Sequence, residues 1–164
     1  FVMIDGLGPY AGNAEESPVI LRDALLEWQA FEPRPERVFP DRDSAVVARQ
    51  RGFTPLSAEA AAILCSRALK EVEGGFAWTM DRRVRHHSSL RLTEPQVRAF
   101  LSAISAEVMV IRAEQGFPAD PTVFDGRLAA LKRLELHAVK GGHHLHLDES
   151  PTDVAALINR FLQG

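Results

Sequence analysis

Three short apolar runs constrain this chain most: Phe1-Val2-Met3-Ile4, Val108-Met109-Val110-Ile111 and Leu134-Glu135-Leu136-His137-Ala138-Val139. A short, nearly continuous apolar run is the pattern of a parallel strand covered on both faces. The second and third runs alternate with helical spacing. That spacing predicts one helix over Asp125 to Leu131 and a last one over Pro151 to Leu162, with Val154, Leu157, Ile158, Phe161 and Leu162 facing inward. Strand, helix, strand, helix predicts the α/β class, a parallel sheet with helices packed on it.

The long stretch between the first run and the second reads as helical throughout. Ser17-Pro18 is a helix start, and Ile20, Leu21, Ala24, Leu25 and Trp28 follow at helical spacing. Glu32 to Pro40 carries three prolines and reads as a loop. Asp43 to Gln50 predicts a short helix that buries Ala45, Val46 and Ala48, and Ser57 caps a stronger one from Ala58 to Val72, stopped by Gly74-Gly75. Phe76 to Ser89 has no clean period and reads as an irregular connection. Thr93 caps a helix over Glu94 to Ile104, with Val97, Phe100, Leu101 and Ile104 on one stripe. So much chain is too long for one crossover and predicts an inserted helical subdomain. Residues 1–11 and 106–164 are assigned to the sheet, and 12–105 to the insertion and its return. The edge of the first strand carries no charge or proline to blunt it, so partner strands are expected ahead of Phe1.

Composition narrows the class of partner. At 46% hydrophobic and 25% charged the chain is of ordinary globular type, and a net charge of −3 gives no reason to expect nucleic acid or an anionic membrane. Cys65 is alone, which excludes an intrachain disulfide, and it falls in the apolar pattern Ala61, Ala62, Leu64, Ala68 and Leu69, so it reads as a small buried hydrophobe. A lone cysteine fits a reducing compartment, and a cytoplasmic setting is the expectation. The sequence contains neither a signal-peptide pattern nor an apolar run of membrane-spanning length.

A parallel sheet binds its ligands at the carboxyl ends of its strands. Here those ends are polar: Asp5 after the first strand, Glu114 after the second, and His143 after the third, behind Gly141 and Gly142. A carboxylate and an imidazole on one rim are two members of a nucleophile, base and acid triad, in which the acid fixes the tautomer of the histidine. The nucleophile is the gap. The sequence has no Gly-x-Ser-x-Gly elbow, and Ser88-Ser89 lies in an irregular basic segment. Gly6-x-Gly8-x-x-x-Gly12 has the wrong spacing for a dinucleotide fingerprint and reads as a turn. His143, His144 and His146 match no familiar zinc spacing, so neither a metal nor a cofactor is expected. Arg82, Arg83, Arg85, His86, His87 and Arg91 read as a solvated surface or as salt links to nearby acids. Trp28, Phe31, Phe76 and Trp78 are candidates for an apolar substrate pocket, with core packing as the competing reading.

Several of these segments together resemble the C-terminal half of an α/β-hydrolase, of the serine-hydrolase-like branch that carries a helical cap. They are Val2-Met3-Ile4-Asp5-Gly6-Leu7-Gly8-Pro9, Trp78-Thr79-Met80-Asp81-Arg82-Arg83, Leu92-Thr93-Glu94-Pro95-Gln96, Val108 to Gly116, and Gly141-Gly142-His143-His144-Leu145-His146-Leu147. The resemblance implies that residues 12–105 are a cap, that His143 is the base, and that the first strands and the nucleophile elbow lie upstream of Phe1. That missing N-terminal half would be the protein's partner, in the same or a cleaved chain. Many relatives carry the acid in the loop after the second strand of this segment, but that loop here reads Ala113-Glu114-Gln115-Gly116 without an aspartate. Other relatives take it from the strand before the cap, which is the place of Asp5. Asp5 is therefore favoured over Glu114, and both over Asp120 or Asp125. The implied activity is hydrolysis of a carboxylic ester or similar small acyl substrate. An aspartate nucleophile upstream would make a dehalogenase or epoxide hydrolase instead, and the irregular acid loop leaves a non-catalytic binding protein on the same scaffold as a third alternative.

Overall fold

A computed structural model describes residues 1–31, 37–117 and 120–164. The elements run β1 (Val2–Ile4), α1 (Ser17–Gln29), α2 (Arg42–Gln50), α3 (Ala58–Ala68), β2 (Leu69–Val72), β3 (Gly75–Trp78), α4 (Glu94–Ala103), β4 (Val108–Gln115), α5 (Pro121–Leu128), β5 (Leu134–Gly142) and α6 (Pro151–Gln163), with 3-10 turns at Ala14–Glu16 and Arg82–Arg85. They fall into two compact units, Phe1–Ser17 with Leu90–Gly164, and Pro18–Ser89. Among the described residues no helix is long and apolar enough to cross a membrane.

The first unit is built on a parallel sheet of order β1-β4-β5. The middle strand is apolar on both faces because both are covered: Val108, Met109, Val110 and Ile111 are all buried. Successive side chains point to opposite faces. Val108 and Val110 therefore join Leu7, Val97, Leu101 and Leu131, whereas Met109 and Ile111 join Ala113, Val139, Leu145 and Val154. One face is thus closed by α4 and the end of α5, the other by α6, whose Leu157, Ile158 and Phe161 pack there as the spacing predicts. Leu162, expected on the same face, is 71% exposed. Leu145, fully buried two residues beyond His143, anchors the loop after β5 in this second core. Its replacement by alanine should lower stability by about 2–5 kcal/mol in denaturant unfolding, the range for deleting a fully enclosed leucine.

Several boundaries differ from expectation for local reasons. The segment around α4 was expected to belong with the insertion, yet Val97 and Leu101 share the core of β4, so α4 lies in the sheet unit. Its start is as predicted: the Gln96 side chain accepts from the Thr93 amide at 2.8 Å. Helix α5 begins at Pro121, not at Asp125, because Asp120 caps it by accepting from the Thr122 amide at 2.8 Å. Ser17 is no cap either: the 3-10 turn at Ala14–Glu16 precedes it, and Ser17 already has helical angles of −54° and −41°. Strands β4 and β5 both run further than their apolar runs, to Gln115 and Gly142.

The second unit holds α2, α3 and a β-hairpin around a small core of Phe39, Ala45, Cys65 and Leu69, joined by Phe76 and Trp78. Asp41 and Ser57 cap the two helices through the Ser44 and Ala60 amides. Burial pushes the Cys65 thiol above its usual range, in keeping with a packing role. The expected purely helical insertion is corrected here. Helix α3 stops at Ala68, and β2 and β3 pair antiparallel across Glu73 and Gly74. Gly74, with φ +84°, belongs to the hairpin turn and Gly75, with φ +141°, opens β3 opposite Val72, in place of the helix stop that the sequence predicts. Phe39 adds a bridge to Phe76, with reciprocal backbone hydrogen bonds of 2.8 Å. In α1 only Ala24 of the predicted stripe is buried, while Leu21, Leu25 and Trp28 are exposed. Of the expected Glu32 to Pro40 loop, residues 32–36 lie outside the described residues.

Candidate functional site

At the carboxyl end of β1 the ladder with β4 finishes with the Asp5 amide donating to the Ile111 carbonyl at 2.7 Å. Asp5 then turns into the left-handed region, with φ +45°, which aspartate and asparagine tolerate better than most residues. The Ala113 amide, the next donor along β4 on this side, is taken by the carboxylate in place of a strand carbonyl: it donates to Oδ1 at 3.0 Å. The Phe117 amide donates to Oδ2 at 2.9 Å. The carboxylate is thus sunk into the sheet end, with the side chain 7% exposed.

His143 arrives from the other side. The pairing of β4 and β5 shifts register between Ala113 and Gln115 and ends at Gln115 opposite Gly142. Gly141 has φ +128°, and a Cβ there would stand 3.0 Å from both the Leu145 Cβ and a Glu149 carboxylate oxygen, so only glycine suits it. Beyond it the chain folds back tightly, with the Leu145 amide on the Gly142 carbonyl at 3.0 Å and the Ser150 amide on the Leu145 carbonyl at 2.8 Å. Buried Leu145 on one side and β5 on the other fix the backbone of His143. Its Nδ1 lies 2.8 Å from Asp5 Oδ2. A carboxylate can only accept, so it selects the tautomer with the proton on Nδ1 and leaves the Nε2 lone pair to act as a base.

The structure therefore brings together Asp5 and His143, whereas Glu114 is exposed on β4, Asp120 caps α5, and Asp125 is exposed on that helix. The spacing did not single out Gly116. A Cβ there would lie 2.2 Å from Asp5 Oδ1 and 2.5 Å from Oδ2, so the carboxylate fills the room where a side chain at 116 would stand. The only sequence signal was the loop lacking its expected aspartate. Phe117 was missed as well: besides its amide, its ring meets those of His143 at 5.6 Å and Tyr10 at 6.1 Å. The His144 ring lies 4.9 Å from that of His143 and 6.0 Å from that of His146. Partial desolvation, with His143 nearby, lowers His146 from the ordinary imidazole range. Among the described residues no group of three or more histidine, cysteine or acidic side chains is arranged to hold a metal ion.

The aromatic candidates divide between two places within the second unit. Trp28 and Phe31 flank the His86 ring at 4.9 and 5.0 Å, while Trp78 packs on Phe39 at 5.8 Å as part of the core. In the basic segment Arg83 pairs with Asp81 and pulls its carboxyl down to about 2, and the His87 amide and ring both meet Glu27.

No family model matches the sequence. A serine hydrolase-like protein of Danio rerio is 33% identical over 114 residues, which cover 66% of this chain and 35% of that protein. The solved structure of a hypothetical protein of Pseudomonas aeruginosa is 37% identical with a TM-score of 0.90, over 99% of this chain and 58% of that one. The thioesterase domain from the curacin biosynthetic pathway is 21% identical with a TM-score of 0.79, covering 97% of this chain and 56% of its own length, a likeness of fold. This chain thus spans about a third of the length of the curated relative and somewhat over half of the solved ones.

Proposed function

We propose, with the α/β-hydrolase fold of this chain as the premise, that it carries the base and the acid of a serine-type hydrolase acting on carboxylic esters or similar acyl compounds. The observation that carries the reading is the 2.8 Å contact between His143 Nδ1 and an Asp5 carboxylate that two backbone amides hold in place. In this reading the nucleophilic serine comes from chain N-terminal to Phe1, on strands that pair with the edge of β1 left without a partner among the described residues.

The steps follow from the tautomer. Nε2 of His143 removes the serine proton as the hydroxyl oxygen attacks the acyl carbon, and Asp5 stabilises the imidazolium that forms. The imidazolium then gives its proton to the departing alcohol, leaving an acyl-enzyme. Nε2 next takes a proton from water, the hydroxide oxygen attacks the acyl carbon, and the carboxylic acid leaves as the proton returns to serine.

A fluorophosphonate probe on the full-length protein tests this. One serine outside residues 1–164 should be labelled, and the labelling should be lost in the His143→Ala variant. Absence of labelling in the folded protein, together with no turnover of an ester panel, would overturn the reading in favour of a binding protein. Ester inactivity joined to turnover of a haloalkane or an epoxide would assign an aspartate nucleophile instead.

A further inference from the structure

The described part of the sheet unit contains one deeply buried cation, Arg127, and it does not touch the His143 and Asp5 pair. It is 8% exposed, on α5. Its Nε and Nη2 donate to both oxygens of Glu94, the first residue of α4, at 3.1, 3.1 and 2.6 Å. The remaining Nη1 reaches across to donate to the backbone carbonyl of Leu7 at 2.8 Å. Leu7 lies two residues beyond Asp5 and is itself 3% exposed. The turn closes on the guanidinium: Gly8 has φ +87°, and a Cβ there would stand 3.3 Å from Nη1.

We infer that Glu94 and Arg127 form a positioning clamp for the catalytic acid, an inference that rests on the hydrolase reading above. Asp5 sits in a left-handed conformation that persists only where its surroundings over-determine it. On its N-terminal side the ladder bond to Ile111 holds it, and on its C-terminal side the first backbone group hydrogen-bonded among the described residues is the Leu7 carbonyl, on Arg127. A guanidinium is suited to the task, since its planar fork can bind a carboxylate with two nitrogens and still offer a third to a carbonyl. Glu94 is needed because an unpaired buried cation would be expelled. Arg127 in turn holds the Glu94 carboxyl below the usual carboxylate range. Release of Leu7 lets the short loop and Asp5 drift, and His143 loses its orienting partner.

Arg127→Met alone strands Glu94, so the informative variant of the full-length protein is Arg127→Met with Glu94→Gln, which removes both charges together and tends to leave folding intact. Two readouts are taken: kcat and KM on p-nitrophenyl butyrate, and the low-field proton resonance of the His143 Nδ1–H, identified by its absence in His143→Ala. In a variant with wild-type circular dichroism, the resonance should disappear and kcat should fall about 100-fold, with KM within about threefold, the size of effect produced by a displacement of about 1 Å. A resonance that persists, a wild-type protein without one, or a kcat that is unchanged overturns the clamp. If the wild-type protein shows the resonance but hydrolyses no ester, the hydrolase reading fails and the resonance alone decides the clamp.

Discussion

Replacing His143 by alanine in the full-length protein should lower kcat for ester hydrolysis by about three to six orders of magnitude, because the sole proton acceptor of the proposed triad is gone and its members act as a unit. The fold should survive. The side chain is 35% exposed, and the backbone around it is held by Gly142, buried Leu145 and Ser150, not by the imidazole. Circular dichroism and the unfolding midpoint should therefore stay near those of the wild-type protein. KM should change little, since the missing interaction is a proton transfer made in the transition state. A folded variant that keeps turnover within about tenfold of wild type would remove His143 from the mechanism.

The second large effect is expected at Asp5. Asparagine adopts the left-handed conformation as readily as aspartate, so Asp5→Asn should preserve the backbone turn of φ +45°. The chemistry changes all the same. The amide nitrogen, which cannot accept, takes the place either of Oδ1, which serves the Ala113 amide, or of Oδ2, which serves the Phe117 amide and faces His143 Nδ1, and in the second place it donates to Nδ1. The imidazole then favours the tautomer with its proton on Nε2, where it cannot act as a base, and kcat should fall by about four orders of magnitude. Gly116→Ala is the complementary variant. It leaves every catalytic group in the chain but puts a methyl group 2.2 Å from the Asp5 Oδ1 position, so the carboxylate must move and the same kinetic defect should appear. Wild-type kcat in a folded Gly116→Ala protein would show that Asp5 is not held as described.

Much of this architecture is legible locally. The three apolar runs become three parallel strands, and the last helix lies where its stripe and Ser150-Pro151 predict, although the Ser150 hydroxyl donates to the Lys140 carbonyl and does not cap the helix. Errors arose where a segment was too short for its period to speak. Leu69 to Val72 continue a helical apolar pattern and equally suit a strand, and only the pairing with Gly75 to Trp78 chooses. Likewise, the exposed stripe of α1 shows that a helical pattern fixes the element but not what covers it.

The amino-acid sequence by itself determined the strand and helix order of the sheet unit, the class of fold and the two glycines that lead into His143 at the end of β5, because periodicity, capping and backbone freedom are properties of neighbouring residues. Only the tertiary structure decided which carboxylate meets His143, why residue 116 has no side chain, and that Arg127 grips the loop beyond Asp5. Those contacts join residues 138, 111 and 120 positions apart. Strand register and helix packing bring such residues together, and no local pattern records the result.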